Sequence, residues 1–177
     1  MPLIAISGTP GTGKTSVSEE LRSREYAVLD INKHLRENNL LGDKDVARDT
    51  FDVDLDALND SLEAYRNAGA TVFMDSHLSH FLDSHMIIVL RCNPDILADR
   101  LRARGYSEMK VRENVQAEIL DVILCEATES DIPVFEVDCS QGNASDSADS
   151  IVDIINYIVD DHIPGRVDWS EEMEKWF

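Results

Sequence analysis

The 177-residue chain has no apolar run approaching the length of a membrane span, and its N-terminus lacks a basic stretch followed by an apolar one. A membrane protein and a secretory leader both drop out as readings, and a cytoplasmic setting is expected. Cysteine is scarce. Cys92, Cys125 and Cys139 form no C-x-x-C pair, and each lies in or beside an apolar segment. That argues against a disulfide scaffold and leaves buried free thiols in a reducing compartment as the expectation. Positive charge is short as well: 16 Lys and Arg face 35 Asp and Glu, for a formal net charge of −19, and only five of the 16 are lysine. So acidic a surface repels polyphosphate backbones and argues against general DNA or RNA binding. It suits a saline cytoplasm or a basic protein partner, and composition leaves that choice open. No repeat, linker or low-complexity stretch divides the chain, so residues 1–177 read as one domain.

What is present starts at Gly8-Thr9-Pro10-Gly11-Thr12-Gly13-Lys14-Thr15, which fits G-x-x-x-x-G-K-S/T. Leu3-Ile4-Ala5-Ile6 before it reads as a buried strand, and Ser16 to Arg24 after it reads as a helix. In that order the loop wraps a triphosphate: glycines let the backbone approach the ligand, and the helix start adds the positive end of its dipole. Lys14 is then expected on the β- and γ-phosphates and the Thr15 hydroxyl on Mg²⁺. The spacing points to a nucleoside triphosphate as the ligand.

Further strands are expected at Tyr26–Leu29, Thr71–Met74, Met86–Leu90 and Val134–Val137, with Met86–Leu90, the most apolar run, reading as a central buried strand. Helices are expected at Asp30–Asn39, at Asp54–Ala68, from Asn93-Pro94 to Arg102, and along Val111, Val115, Ile119, Val122 and Ile123. A last helix is expected to bury Ile151, Ile154, Ile155 and Ile158 before a tail with Trp169 and Trp176. Leu40 to Val53 is polar with little apolar periodicity, and reads as an insert at the mouth of the site. Asp75 ends a strand near the glycine loop, where a carboxylate can hold Mg²⁺; a plain turn residue is the competing reading. His77 and His80 have H-x-x-H spacing, but no further ligands complete a tetrahedral zinc site, and His77 reads better as a polar group beside the phosphates. Arg91, Arg100, Arg102, Arg104, Lys110 and Arg112 make a basic island. Such arginines clamp transferring phosphates or form i,i+4 pairs on a solvated helix.

Five strands alternating with helices predict an α/β fold: a P-loop NTPase three-layer sandwich around a five-stranded parallel sheet. With an acidic insert after the second strand and an arginine-rich segment near residue 104, the chain resembles the nucleoside monophosphate kinases. More narrowly it resembles the atypical adenylate kinases of isoenzyme 6 type. The likeness rests on Gly8 to Thr15, Arg48-Asp49-Thr50 with Val53-Asp54, Asp75-x-His77, Arg100-Leu101-x-x-Arg104-Gly105-Tyr106-Ser107-Glu108, and Glu113-Asn114 with Glu118-Ile119. Ser76 departs from the glycine or aromatic residue common in that family.

The resemblance implies an NMP-binding insert at about 30–53, a short lid at about 103–113 and a C-terminal tail at about 163–177. It implies that Gly11, Gly13, Lys14, Thr15 and Ser16 hold ATP with Arg104 on the phosphates, and that Asp75 and His77 form the Walker-B-like pair. The expected reaction is ATP + AMP ⇌ 2 ADP, with Lys14, Asp75, His77, Arg100 and Arg104 catalytic, Thr15 and Asp75 on Mg²⁺, and Arg36 or Arg48 on the acceptor phosphate. Family members also bind the small-subunit ribosomal protein uS11 and assist rRNA maturation, so an ATPase assembly factor is the rival reading. A third is a small-metabolite kinase on the same scaffold, acting on a sugar or shikimate-like alcohol.

Overall fold

Apolar runs alternate with helices throughout the structure, a computed structural model that describes residues 2–45 and 50–177. β1 (Leu3–Ser7), α1 (Lys14–Ser23), β2 (Ala27–Asp30) and α2 (Ile31–Glu37) come first. A hairpin of β3 (Leu41–Asp45) and β4 (Thr50–Val53) follows, then α3 (Leu55–Ser61), α4 (Glu63–Arg66) and β5 (Val72–Asp75). The second half holds β6 (Met86–Arg91), α5 (Pro94–Ala103), α6 (Glu108–Ile119), α7 (Val122–Thr128), β7 (Val134–Asp138), α8 (Ala144–Ile155) and the short α9 (Met173–Trp176).

The main sheet has the order β2-β5-β1-β6-β7, with every pair parallel. β1 is therefore the middle strand, and β6, expected from its apolar run to be a central buried strand, is an interior strand beside it, buried from Ile87 to Arg91. Alternation along β1 assigns the two faces of the core. Leu3 and Ala5 pack with Ile31, Leu35, Leu58 and Leu124, while Ile4 and Ile6 pack with Val17, Leu21, Ile151 and Ile154. Helices cover both faces, which gives the three layers expected. Because the strands are parallel, Gly8, Asp75, Cys92 and Cys139 all follow or end strands at one edge of the sheet, where ligands of open α/β sheets bind.

Several local expectations change. The 40–53 stretch contains an antiparallel two-stranded sheet, invisible to apolar periodicity because few of its residues are apolar. The expected helix over 54–68 is two short helices, broken at Leu62. The long helix after residue 107 breaks at Asp121, whose φ of 54° is left-handed, and Val122 turns to solvent. α8 stops at Ile155, so Ile158 is 61% exposed. Cys125 is exposed, whereas Cys92 and Cys139 are buried as expected; burial pushes their thiols up to about 12 and about 11. The Trp169 and Trp176 rings pack against a third cluster formed by α5 and α6, including Leu97, Leu101 and Val115. No helix among the described residues is long and apolar enough to cross a membrane.

Candidate active site

The glycine loop leaves β1 at Ser7 and enters α1 at Lys14. Gly8 has φ of +143°, and a side chain there would lie 2.5 Å from the Leu90 carbonyl oxygen, so only glycine fits. Gly13, at φ 118°, is the N-cap of α1, and no side chain caps that helix. Its first amides are thus left to an anion rather than to the protein. Thr9 organises the loop: its carbonyl accepts the Thr12 amide at 3.2 Å, the Thr12 hydroxyl at 2.9 Å and Lys14 Nζ at 3.1 Å. Burial lowers the Lys14 ammonium from 10.5 to about 8, although Asp75 and Glu118 raise it.

A cavity opens on each side of this loop. One, of about 420 Å³, is bounded by Gly11, Gly13, Ser16, Val17, Arg100, Arg104, Cys139 and the start of α8 at Asn143, Ala144 and Ser147. The other, of about 330 Å³, is bounded by Gly11, Gly13, Lys14, Thr15, Arg22, Asp30, Asn32, Asp75, His77, Arg104 and Tyr106. Gly11, Gly13 and Arg104 line both. Nine residues expected at the site from sequence, Gly11, Gly13, Lys14, Thr15, Ser16, Asp75, His77, Arg100 and Arg104, thus line one cavity or the other.

Their environments differ. Asp75 stands beside Asp30 on the next strand; burial raises its carboxyl above the usual range and Asp30 adds to the rise, against Lys14. A cation would relieve both carboxylates. With the Thr15 hydroxyl nearby, these hard oxygen donors fit Mg²⁺ better than a softer metal. Among the described residues no group of three His, Cys, Asp or Glu could hold a metal, so magnesium here would depend on few protein ligands. His77 sits in the cavity wall, and crowding by the protein followed by the Lys14 charge keeps its ring below the ordinary value, hence neutral near pH 7. His80 is instead a satisfied core residue, its Nδ1 paired with Ser7 Oγ at 2.8 Å and its Nε2 with Glu126 Oε2 at 3.1 Å.

The basic island divides. Arg104 alone faces both cavities. Arg100 donates to the carbonyls of Thr12 at 3.1 Å and Cys139 at 2.9 Å, bracing the loop from behind. Arg91 is 1% exposed and paired with Glu118, Asp121 and Glu136, so it clamps no ligand. Arg102 pairs with Glu108, and Arg112 bonds the main-chain oxygens of Trp176 and Phe177. Arg36 is exposed and lines neither cavity, and Arg48 lies outside the described residues. Arg22 was not anticipated. It lies seven residues after Thr15 on α1, so helical spacing puts both on one face, the only signal the sequence carried for it.

The sequence profile of the AAA domain family matches residues 4–121. The chain is also 40% identical over 170 residues to the "Putative adenylate kinase" of Methanocaldococcus jannaschii, covering 96% of this chain and 93% of that protein. It belongs to that adenylate kinase family. A member from Methanosarcina barkeri of the same name is 38% identical, over 94% of this chain and 97% of its own. Among solved structures, a shikimate kinase from Acinetobacter baumannii in complex with shikimate superposes with a TM-score of 0.63 at 16% identity, over 89% of this chain and 94% of that one. A deoxyadenosine kinase from M. mycoides gives 0.53 at 18%, over 88% and 99%. At such identities these two share the kinase fold and nothing more specific. The family is one of P-loop kinases.

Proposed function

We propose that the protein transfers the γ-phosphoryl group of ATP to a nucleoside monophosphate, AMP foremost. One observation carries this reading: two cavities meet at a single phosphate loop and share Arg104. A hydrolase needs one nucleotide cavity; a transferase between nucleotides needs two, end to end. ATP would lie with its base toward the α8 side, its phosphates on the amides that open α1, and Ser16 beside them. The acceptor would enter past Tyr106 and past Asp30 and Asn32, the last two in the stretch read as an NMP-binding insert at about 30–53.

Phosphoryl transfer offers a protein little covalent work, so position and charge account for the rate. Lys14 would leave its loop carbonyls for the β- and γ-oxygens. Arg104, reaching from the corner between α5 and α6, would balance charge on the group in flight, while Arg100 holds the loop carbonyls it already binds. Thr15 and Asp75 would hold magnesium, which supplies further positive charge to the phosphate oxygens. His77, neutral and facing the acceptor side, would accept a hydrogen bond there. The 103–113 segment, read as a lid, contains that α5–α6 corner and the opening of α6, and its closure would keep water out.

The test is ADP formation from ATP with and without AMP. AMP is expected to raise the rate at least about tenfold, as positioning of a second substrate requires. The charge of −19 favours a second reading, an ATPase answering to a basic partner such as uS11. Stimulation by that protein and not by AMP would replace the first reading with the second. Phosphorylation of shikimate or a sugar in place of AMP would overturn both.

A further inference from the structure

Glu118 on α6 is only 3% exposed, and its carboxylate is fully engaged. Oε2 accepts the Thr9 hydroxyl at 2.6 Å; Oε1 accepts Arg91 Nε at 2.8 Å and the Cys92 amide at 3.0 Å. One side chain thus ties the phosphate loop to the end of β6 and to α6. Arg91 extends the tie, donating from Nη1 to Glu136 Oε2 at 3.0 Å, and Glu136 Oε1 accepts the Val167 amide at 2.7 Å.

Neutralising Arg91 does not explain this arrangement. Glu136 and Asp121 already face that guanidinium, and the second oxygen of Glu118 turns away from it toward Thr9. Buried ion pairs are rarely the stablest filling for a core, so a core that keeps one directly behind a ligand loop points to placement of the loop. Thr9 is also the residue whose carbonyl collects Thr12 and Lys14. Fixing its side chain fixes the hub of the loop.

We propose that Glu118 is a positioning residue for nucleotide binding: by accepting the Thr9 hydroxyl it holds the phosphate loop in its anion-binding shape without touching the nucleotide. The inference rests on the nucleotide reading of the loop.

Calorimetric titration with ADP, on the full chain and on Thr9→Val, Thr9→Ser and Glu118→Gln, tests it. ADP binding by the unaltered protein tests the nucleotide reading itself; the ratios among variants test the role of Glu118. Thr9→Val keeps the shape and loses the hydroxyl, and is expected to weaken ADP binding roughly tenfold, as loss of a hydrogen bond to a charged group does. Thr9→Ser restores it. Glu118→Gln, whose amide can still donate to Thr9 Oγ, is expected to keep most of the affinity. Equal affinities for Thr9→Val and Thr9→Ser, or a loss in Glu118→Gln as large as that in Thr9→Val, would overturn the proposal.

Discussion

Lys14→Met is expected to lower phosphoryl transfer about 10²- to 10³-fold, the usual loss when a charged group aimed at a transition state is removed. The same variant is expected to melt no lower than the unaltered protein. Burial drags the Lys14 ammonium from 10.5 to about 8, so its charge costs the folded state free energy at neutral pH, and a methionine of similar length removes that cost. The sign of the pH dependence follows. Between pH 8 and 10.5 the unfolded chain still holds the Lys14 proton and the folded chain does not, so this residue makes stability rise with pH across that window. Catalysis needs the charged form and falls over the same range. Turnover and melting temperature measured side by side from pH 7 to 10 should therefore move in opposite directions. Parallel decline, or near-normal turnover in Lys14→Met, would remove Lys14 from the mechanism.

Arg91→Met is the change expected to harm the fold most. Glu118 and Glu136 are both buried, and the substitution leaves them without their shared cation. Breaking a buried pair in this way costs about 3–5 kcal/mol. For a chain of this size that lowers the melting temperature by roughly 6–20 °C. The stranded carboxylates take up protons more readily in the folded variant than when unfolded, so the deficit should shrink as pH falls from 8 toward 5. A calorimetric scan at both pH values checks the size and the direction. Replacing Glu118 and Glu136 by leucine as well should recover much of the stability, since apolar side chains fill such sites at no loss. A deficit independent of pH would mean that lost packing rather than stranded charge is responsible.

These two residues also mark where the sequence was and was not readable. Lys14 sits in a motif whose spacing states its own chemistry, and the strand before it and helix after it stand where apolar runs put them. Asn93 caps α5 with Pro94 in its first turn, again as local rules require. Arg91 looked like part of a phosphate clamp because its neighbours in sequence are basic. What buries it is Glu118 and Glu136, 27 and 45 residues further on, which no local pattern joins to it. His80 is the same case, held by Ser7 at a separation of 73 residues. The β3–β4 hairpin escaped for a different reason: strands outside the main core need no apolar alternation, and these have little. Arg22 could have been found from its helical phase with Thr15, but only after the second cavity had been seen.

Most of the guanidinium charge between residues 91 and 112 is turned inward or spent on carboxylates, so little of it is felt beyond the loop. A polyanion arriving from solution therefore climbs against the field of a strongly negative particle and is rewarded only on contact. Dissolved ions flatten that climb over a Debye length of about 8–10 Å at ordinary ionic strength. Salt, which slows most charged encounters, should here speed the arrival of substrate.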